Sequence, residues 1–168
     1  MLLLKGQQEQ AAGGDIWDAR AAVRAGAADV LQALTDPEMI AGWAPVNFEL
    51  DGRGRTLRAG CHEHVSGSIA GLRASFDVEV TRADVGRLEL VAEGPVTMDV
   101  VYSFRDQGDR VLVDASVAVR RRGGLGAQVM RAAVVALLNA GALDRALQRL
   151  AGSVRECSRP ARPELVAA

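Results

Sequence analysis

The sequence predicts an α+β fold: a curved antiparallel seven-stranded sheet wrapped around a long C-terminal helix, with two short helices between the first and second strands. Three observations predict it. From Arg55 to Arg120 apolar residues recur mainly at every second position, the period of strands whose two faces differ. From Gly126 onward they recur at helical spacing, with no proline until Pro160. The turns between the alternating segments are a few residues long, enough for hairpins but not for parallel crossovers, which need about a dozen residues.

The elements follow in order. Met1 to Gly14 lacks apolar periodicity and carries Gln7, Gln8, Gln10 and a Gly13-Gly14 pair, so it reads as a flexible leader. Ile16 to Val23 reads as the first strand, and Gly26 to Leu34 as a helix with Ala27, Ala28, Val30, Leu31 and Leu34 at helical spacing. Asp36-Pro37 ends that helix and begins another through Trp43, because proline fits a first helical turn but not a helix interior. Val46, Phe48 and Leu50 alternate with Asn47 and Glu49 in a second strand that closes on the turn Asp51-Gly52-Arg53-Gly54. Five strands are placed at Thr56–Ile69, Arg73–Arg82, Arg87–Glu93, Val96–Arg105 and Arg110–Arg121, separated by Gly-, Asp- and Pro-containing turns. The last element runs from about Gly126 to Val154, about 43 Å at 1.5 Å per residue. Its middle is apolar almost all round, since Val135 and Leu138 intrude on the face of Arg131, Arg145 and Arg149. Residues 158–168, with Pro160 and Pro163, read as a flexible tail, which leaves 15–157 as one folded domain.

Composition excludes several function classes. With 20 Lys plus Arg against 21 Asp plus Glu, no net field draws nucleic acid, and no base-reading motif is present. Cys61 and Cys157 lie far apart in sequence, and Leu2 to Leu4 is too short for a secretory apolar core, so a reducing cytoplasm is the simplest assignment. The apolar run Ala132 to Leu138 stops at Asn139, short of the roughly 20 residues that span a bilayer.

The run Ala27-Ala28-Asp29-Val30-Leu31-Gln32-Ala33-Leu34-Thr35-Asp36-Pro37-Glu38, followed by Trp43-Ala44-Pro45, resembles the start of the START-like, helix-grip superfamily (SRPBCC), in its polyketide cyclase/dehydrase and lipid-transport branch. Weaker likenesses extend through Gly60, the Val65 to Gly71 turn and the Gly123 to Ala151 helix. The resemblance implies a strongly bent sheet gripping the terminal helix around an elongated apolar cavity. It implies a carrier or binder of a hydrophobic small molecule with no cofactor, or a polyketide aromatase/cyclase, or an interaction protein that forms a homodimer or touches a membrane through its terminal helix.

Strand parity selects the residues facing such a cavity. Phe76 and Val78 share one face of their strand, Met98, Val100 and Tyr102 one face of theirs, and Val117 the corresponding face of the last strand. Met130, Ala133 and Leu137 are the helix residues set against them. Glu63 shares parity with Cys61, Val65 and Ile69, which directs a carboxyl inward where it can bind a ligand hydroxyl or act as an acid; a position near a strand end in water is the other reading. Tyr102 offers a phenol for ligand contact or packs with its hydroxyl satisfied locally. Trp43 and Phe48 flank the junction of helices and sheet, as gate or as core plug. His62 and His64 take the opposite parity, toward solvent, and no third metal ligand accompanies them. Arg120-Arg121-Arg122 before Gly123-Gly124 matches neither dinucleotide nor Walker spacing. No catalytic set emerges: no Gly-x-Ser-x-Gly element is present, and neither cysteine has a convincing histidine partner.

Overall fold

Alternating side chains and short turns fold the chain into one antiparallel sheet, seen in a computed structural model that describes residues 14–50, 55–120 and 123–157. The order is β1 (Asp15–Val23), α1 (Ala27–Thr35), α2 (Pro37–Trp43), β2 (Asn47–Leu50), β3 (His62–Ile69), β4 (Leu72–Asp84), β5 (Arg87–Glu93), β6 (Thr97–Asp106), β7 (Val111–Arg120), α3 (Leu125–Asn139) and α4 (Ala142–Cys157). The seven strands lie in the order β1-β7-β6-β5-β4-β3-β2. Strands β2 to β7 form a meander, and β1 closes the far side by pairing with β7 from Asp15 opposite Val119 to Val23 opposite Val111.

Local chemistry sets the joints. Asp36 ends α1, its N–H bonded to the Gln32 carbonyl, and caps α2, its Oδ1 accepting the Glu38 N–H at 2.9 Å, with Pro37 in the first turn. Asp84 accepts the N–H groups of Gly86 and Arg87 at 2.8 and 2.9 Å, closing the β4–β5 turn. The β3–β4 hairpin turns on Ala70 and Gly71, both left-handed at φ 50° and 82°, as a two-residue turn between right-twisted strands requires. A register shift between Val80 and Arg82 in β4 bends the sheet.

Two expectations are corrected. The terminal helix is not one rod but two, α3 and α4, bent by 59°. Gly141 sits at φ 81°, and its N–H bonds back to the Leu138 carbonyl, a left-handed helix stop that glycine takes without steric cost. Residues 56–61 are not strand. There Leu57 is buried and its N–H bonds the Thr35 carbonyl at 2.9 Å, tying the start of the segment to α1; Gly60 turns at φ 82°, and only at Gly60 and Cys61, which bond Val80 at 2.7 and 3.0 Å, does the chain meet β4. The leader through residue 13, the Asp51-Gly54 turn, Arg121, Arg122 and the tail from residue 158 lie outside the described residues.

The core sits between the sheet and α4. Val154, Leu150, Leu147 and Leu143 line one face of α4 at 8% exposure or less, at the spacing of a helical stripe. They pack with Val23, Val113 and Val119 of the sheet and Val30 of α1 in one cluster. No single described helix is long and apolar enough to cross a membrane.

Candidate functional site

The inner face of the sheet carries most of the residues chosen from sequence. Directly opposed residues of antiparallel strands point to the same side. Glu63 lies opposite Val78 and Val65 opposite Phe76, Val100 lies between Leu90 and Val117, and Tyr102 between Leu88 and Ala115. Met98 is flanked by Ala92 and Val119. The strict pleat therefore gathers Glu63, Val65, Phe76, Val78, Met98, Val100, Tyr102 and Val117 on one surface, as parity requires.

Burial across that surface is uneven. On β7, Val113, Ala115 and Val119 are at most 2% exposed. On β3 to β6 the inward side chains Val65, Val78, Leu90, Met98 and Val100 are only half-buried, although Phe76, Val80, Leu88, Ala92 and Tyr102 of the same strands and face are buried. The helix above them, α3, reaches β3 and buries Met130 and Val134, but leaves Ala133, Leu137 and Leu138 half-buried. The break at Gly141 gives the two helices different neighbours: α4 packs on β1, α1 and α2, whereas α3 meets the sheet at β3. Met98, Val100, Val78 and Leu90 of the sheet and Ala133, Leu137 and Leu138 of α3 thus form the partly buried apolar margin of one core.

Two polar groups belong to this surface. Tyr102 is 7% exposed, and burial pushes its phenol up to about 12, so it stays protonated and able to donate at neutral pH. Its hydroxyl makes no hydrogen bond to another described residue. Glu63 is half-buried and likewise makes neither hydrogen bond nor ion pair within the described residues. Both can bind a polar atom of a guest.

The other chosen residues lie elsewhere. Trp43 is 6% exposed and its indole N–H donates to the Ala33 carbonyl at 2.8 Å, so it locks α2 onto α1. Phe48 lies on β2 opposite Gly67 and lines an open depression of about 720 Å³ with Asn47, Ser66 and Arg73. A second open depression, about 680 Å³, lies by Asp18, Arg20 and Asp114. Of the chosen residues, only Phe48 lines either one. His62 and His64 project to the outer face, beside Glu79 at 4.0 Å and Asp77 at 2.8 Å. No group of three or more His, Cys, Asp and Glu side chains among the described residues is placed to hold a metal.

Sequence reading missed the polar tie that holds α3. The Trp17 indole N–H donates to Asn139 Oδ1 at 2.8 Å, joining β1 to the C-terminal end of α3, and the Arg131 guanidinium bonds Asp15. Signals for both were present: Trp17 shares parity with Ala19 and Val23, and Asn139 is the polar residue that interrupts the apolar run. Cys61 and Leu90 are also half-buried against the core.

No protein-family model matches the chain, and no curated protein matches it. Solved structures do. A START superfamily protein from Mycobacterium smegmatis is similar at 17% identity and TM-score 0.62, over 87% of this chain and 100% of that one. Ara h 8.0201 is similar at 12% identity and TM-score 0.59, over 86% and 99%. DynU16, a protein of the dynemicin biosynthetic locus, is similar at 23% identity and TM-score 0.59 over 88% of this chain, which spans about half of DynU16, 49%. At these identities the likeness is one of architecture, and with the seven-stranded sheet, the paired short helices and the helices gripped by the sheet it establishes that the chain has the START-like, helix-grip fold.

Proposed function

We propose that this protein binds a hydrophobic small molecule in a cleft between α3 and the inner face of β3 to β6. One observation carries the reading: inward-facing apolar side chains that a packed core would seal, Val65, Val78, Met98 and Val100, are half-buried on the same face where their β7 neighbours are closed off. Burying apolar area gains about 25 cal/mol per Å², so a guest covering about 200 Å² there gains on the order of 5 kcal/mol before the costs of association. Tyr102 donates to an acceptor on the guest and Glu63 accepts from a donor. Binding led by apolar burial with two polar anchors accommodates a set of related guests. Architecture shared with a START superfamily protein supports the reading.

Cys61 gives a direct test. In a Cys157→Ser background its half-buried thiol reports on the cleft, and a saturating fluorescent fatty-acid analogue is expected to slow its alkylation. Val100→Asp is expected to abolish uptake of that probe while the far-UV spectrum stays that of a folded protein. Unchanged uptake by a folded Val100→Asp protein overturns the site.

A second reading, a cyclase acting on a poly-ketone chain, is favoured by the likeness to DynU16 of the dynemicin biosynthetic locus. Tyr102 then serves as a hydrogen-bond donor to the enolate oxygen, because its raised pKa keeps it protonated at neutral pH, and Glu63 as the base. Turnover of a poly-β-ketone mimic, lost in a folded Glu63→Gln variant, is the result that selects it over simple carriage.

A further inference from the structure

The two ends of the sheet differ. At one, β2 is four residues long and presents Glu49 without an opposite charge on the same strand, a short charged edge of the kind that discourages pairing. At the other, β1 is nine residues long. Its neighbour on one side is β7, and on the other side its backbone makes no hydrogen bond to another element among the described residues. An unpaired edge of that length is a ready template for another strand.

The pattern on β1 specifies which strand. Its outward-face residues run Ile16, Asp18, Arg20, Ala22, with charges of opposite sign two positions apart. When a strand pairs antiparallel with its own copy, residue i faces residue j at a fixed sum of numbers, and the pleat allows only even sums. Centring the pairing on Ala19 sets Asp18 against the partner's Arg20 and Arg20 against the partner's Asp18. Shifting it one step in either direction sets Asp18 against the partner's Asp18, or Arg20 against the partner's Arg20. The register centred on Ala19 therefore joins two attractive pairs where its nearest rivals bring like charges together. The same register lays Ile16, 59% exposed, over the partner's Ala22, and the inward-facing Trp17 beside the partner's Ala21.

The groups are poised for this pairing. Asp18 makes no ion pair with another described residue. Arg20 is 62% exposed, and among the described residues only its Nε is engaged, donating to Asp114 across the β1–β7 ladder. Its terminal nitrogens remain free to donate, since a guanidinium carries five N–H groups. The open depression of about 680 Å³ borders Asp18, Ala19 and Arg20, and is lined as well by Asp114 and Ser116 of β7 and Asp144 of α4. The geometry points to the β1 edge as the interface of a two-fold symmetric dimer of this chain, in which β1 pairs antiparallel with its own copy about Ala19 and joins the two sheets into one. Such an interface is self-complementary, as a closed dimer requires, and it leaves the α3 cleft open in both copies.

The test is charge reversal read by light scattering on a size-exclusion column. The unaltered chain is expected to elute with the mass of a dimer. Asp18→Arg and Arg20→Asp, each alone, set like charges against each other twice and are expected to weaken association by about ten- to a hundredfold, with unchanged far-UV spectra. Mixing the two variants restores opposite charges at both contacts and is expected to restore the dimer, as is the double exchange within one chain. A monomer at every accessible concentration overturns the proposal. So does a dimer that survives both reversals, or one that Leu125→Glu abolishes, because its interface is then on α3. Probe uptake at Cys61 is unaffected by the reversals, so failure here is separable from failure of the cleft.

Discussion

Tyr102 is the one tyrosine of the chain, which makes its phenol separately measurable. Burial raises its pKa to about 12, against about 10 for an unfolded tyrosine. Folding therefore favours the protonated form: the contribution to stability is fully present below pH 10 and is lost as the pH rises toward 12. That loss is on the order of 2 to 3 kcal/mol. Ultraviolet titration should show phenolate appearing near pH 12 in the folded protein, and urea midpoints should fall between pH 10 and 12. Tyr102→Phe should remove that part of the alkaline slope and cost less than about 1 kcal/mol at neutral pH, because its hydroxyl has no described partner to orphan. Gly94 is the opposite kind of position. A Cβ there would lie 2.6 Å from Phe76 Cδ1 and from the Ser75 carbonyl oxygen, so Gly94→Ala should destabilise by about 2 kcal/mol or more, read from thermal midpoints.

Among the elements, the β3–β4 hairpin and the α3–α4 break separate what the sequence discloses from what it hides. Ala70 turns at φ 50°, a conformation alanine adopts at a cost of about 1 kcal/mol, and Asn-Gly is the favoured pair at such turns. Ala70→Asn should therefore raise stability by about 0.5 to 1 kcal/mol, seen as a higher urea midpoint at unchanged slope. That hairpin was legible because a strand's period of two leaves little freedom: once Val65 and Ile69 face inward, Glu63 must too and His62 cannot. The break at Gly141 was not legible in the same way. Asn139-Ala140-Gly141-Ala142 keeps the apolar stripe running on both sides, and one glycine within alanines is compatible with an uninterrupted helix as well as with a stop. What decides is remote: Asn139 is held by Trp17, 122 positions away in sequence. Likewise the strand expected from Thr56 dissolves because Leu57 bonds Thr35 on α1, a tertiary contact that no local period reveals.

For the whole molecule, the inner face of the sheet carries fully buried and half-buried apolar side chains side by side. Leu88 is fully buried, so Leu88→Ala should cost about 2 to 5 kcal/mol, whereas Met98→Ala, half-buried on the same face, should cost clearly less. Chemical denaturation of the two variants measures the contrast, and equal costs would place Met98 in a closed core. Sequence parity identified the face shared by these residues but not which of them are sealed, because that depends on what the two helices cover after the break at Gly141.

The anchoring of α3 has a further physical consequence. Its first turn follows Gly124, which supplies no side-chain cap, and Leu125 and Val129 stand 83% and 58% exposed. It is fastened at mid-length by Arg131 to Asp15 and at its last turn by Asn139 to Trp17. A rod held from its middle onward and loose at its first turn behaves as a cantilever, with amplitude growing away from the clamps. Deuterium should therefore enter the amides near Gln128 orders of magnitude faster than those of Leu147 and Leu150, with Leu137 and Leu138 falling between.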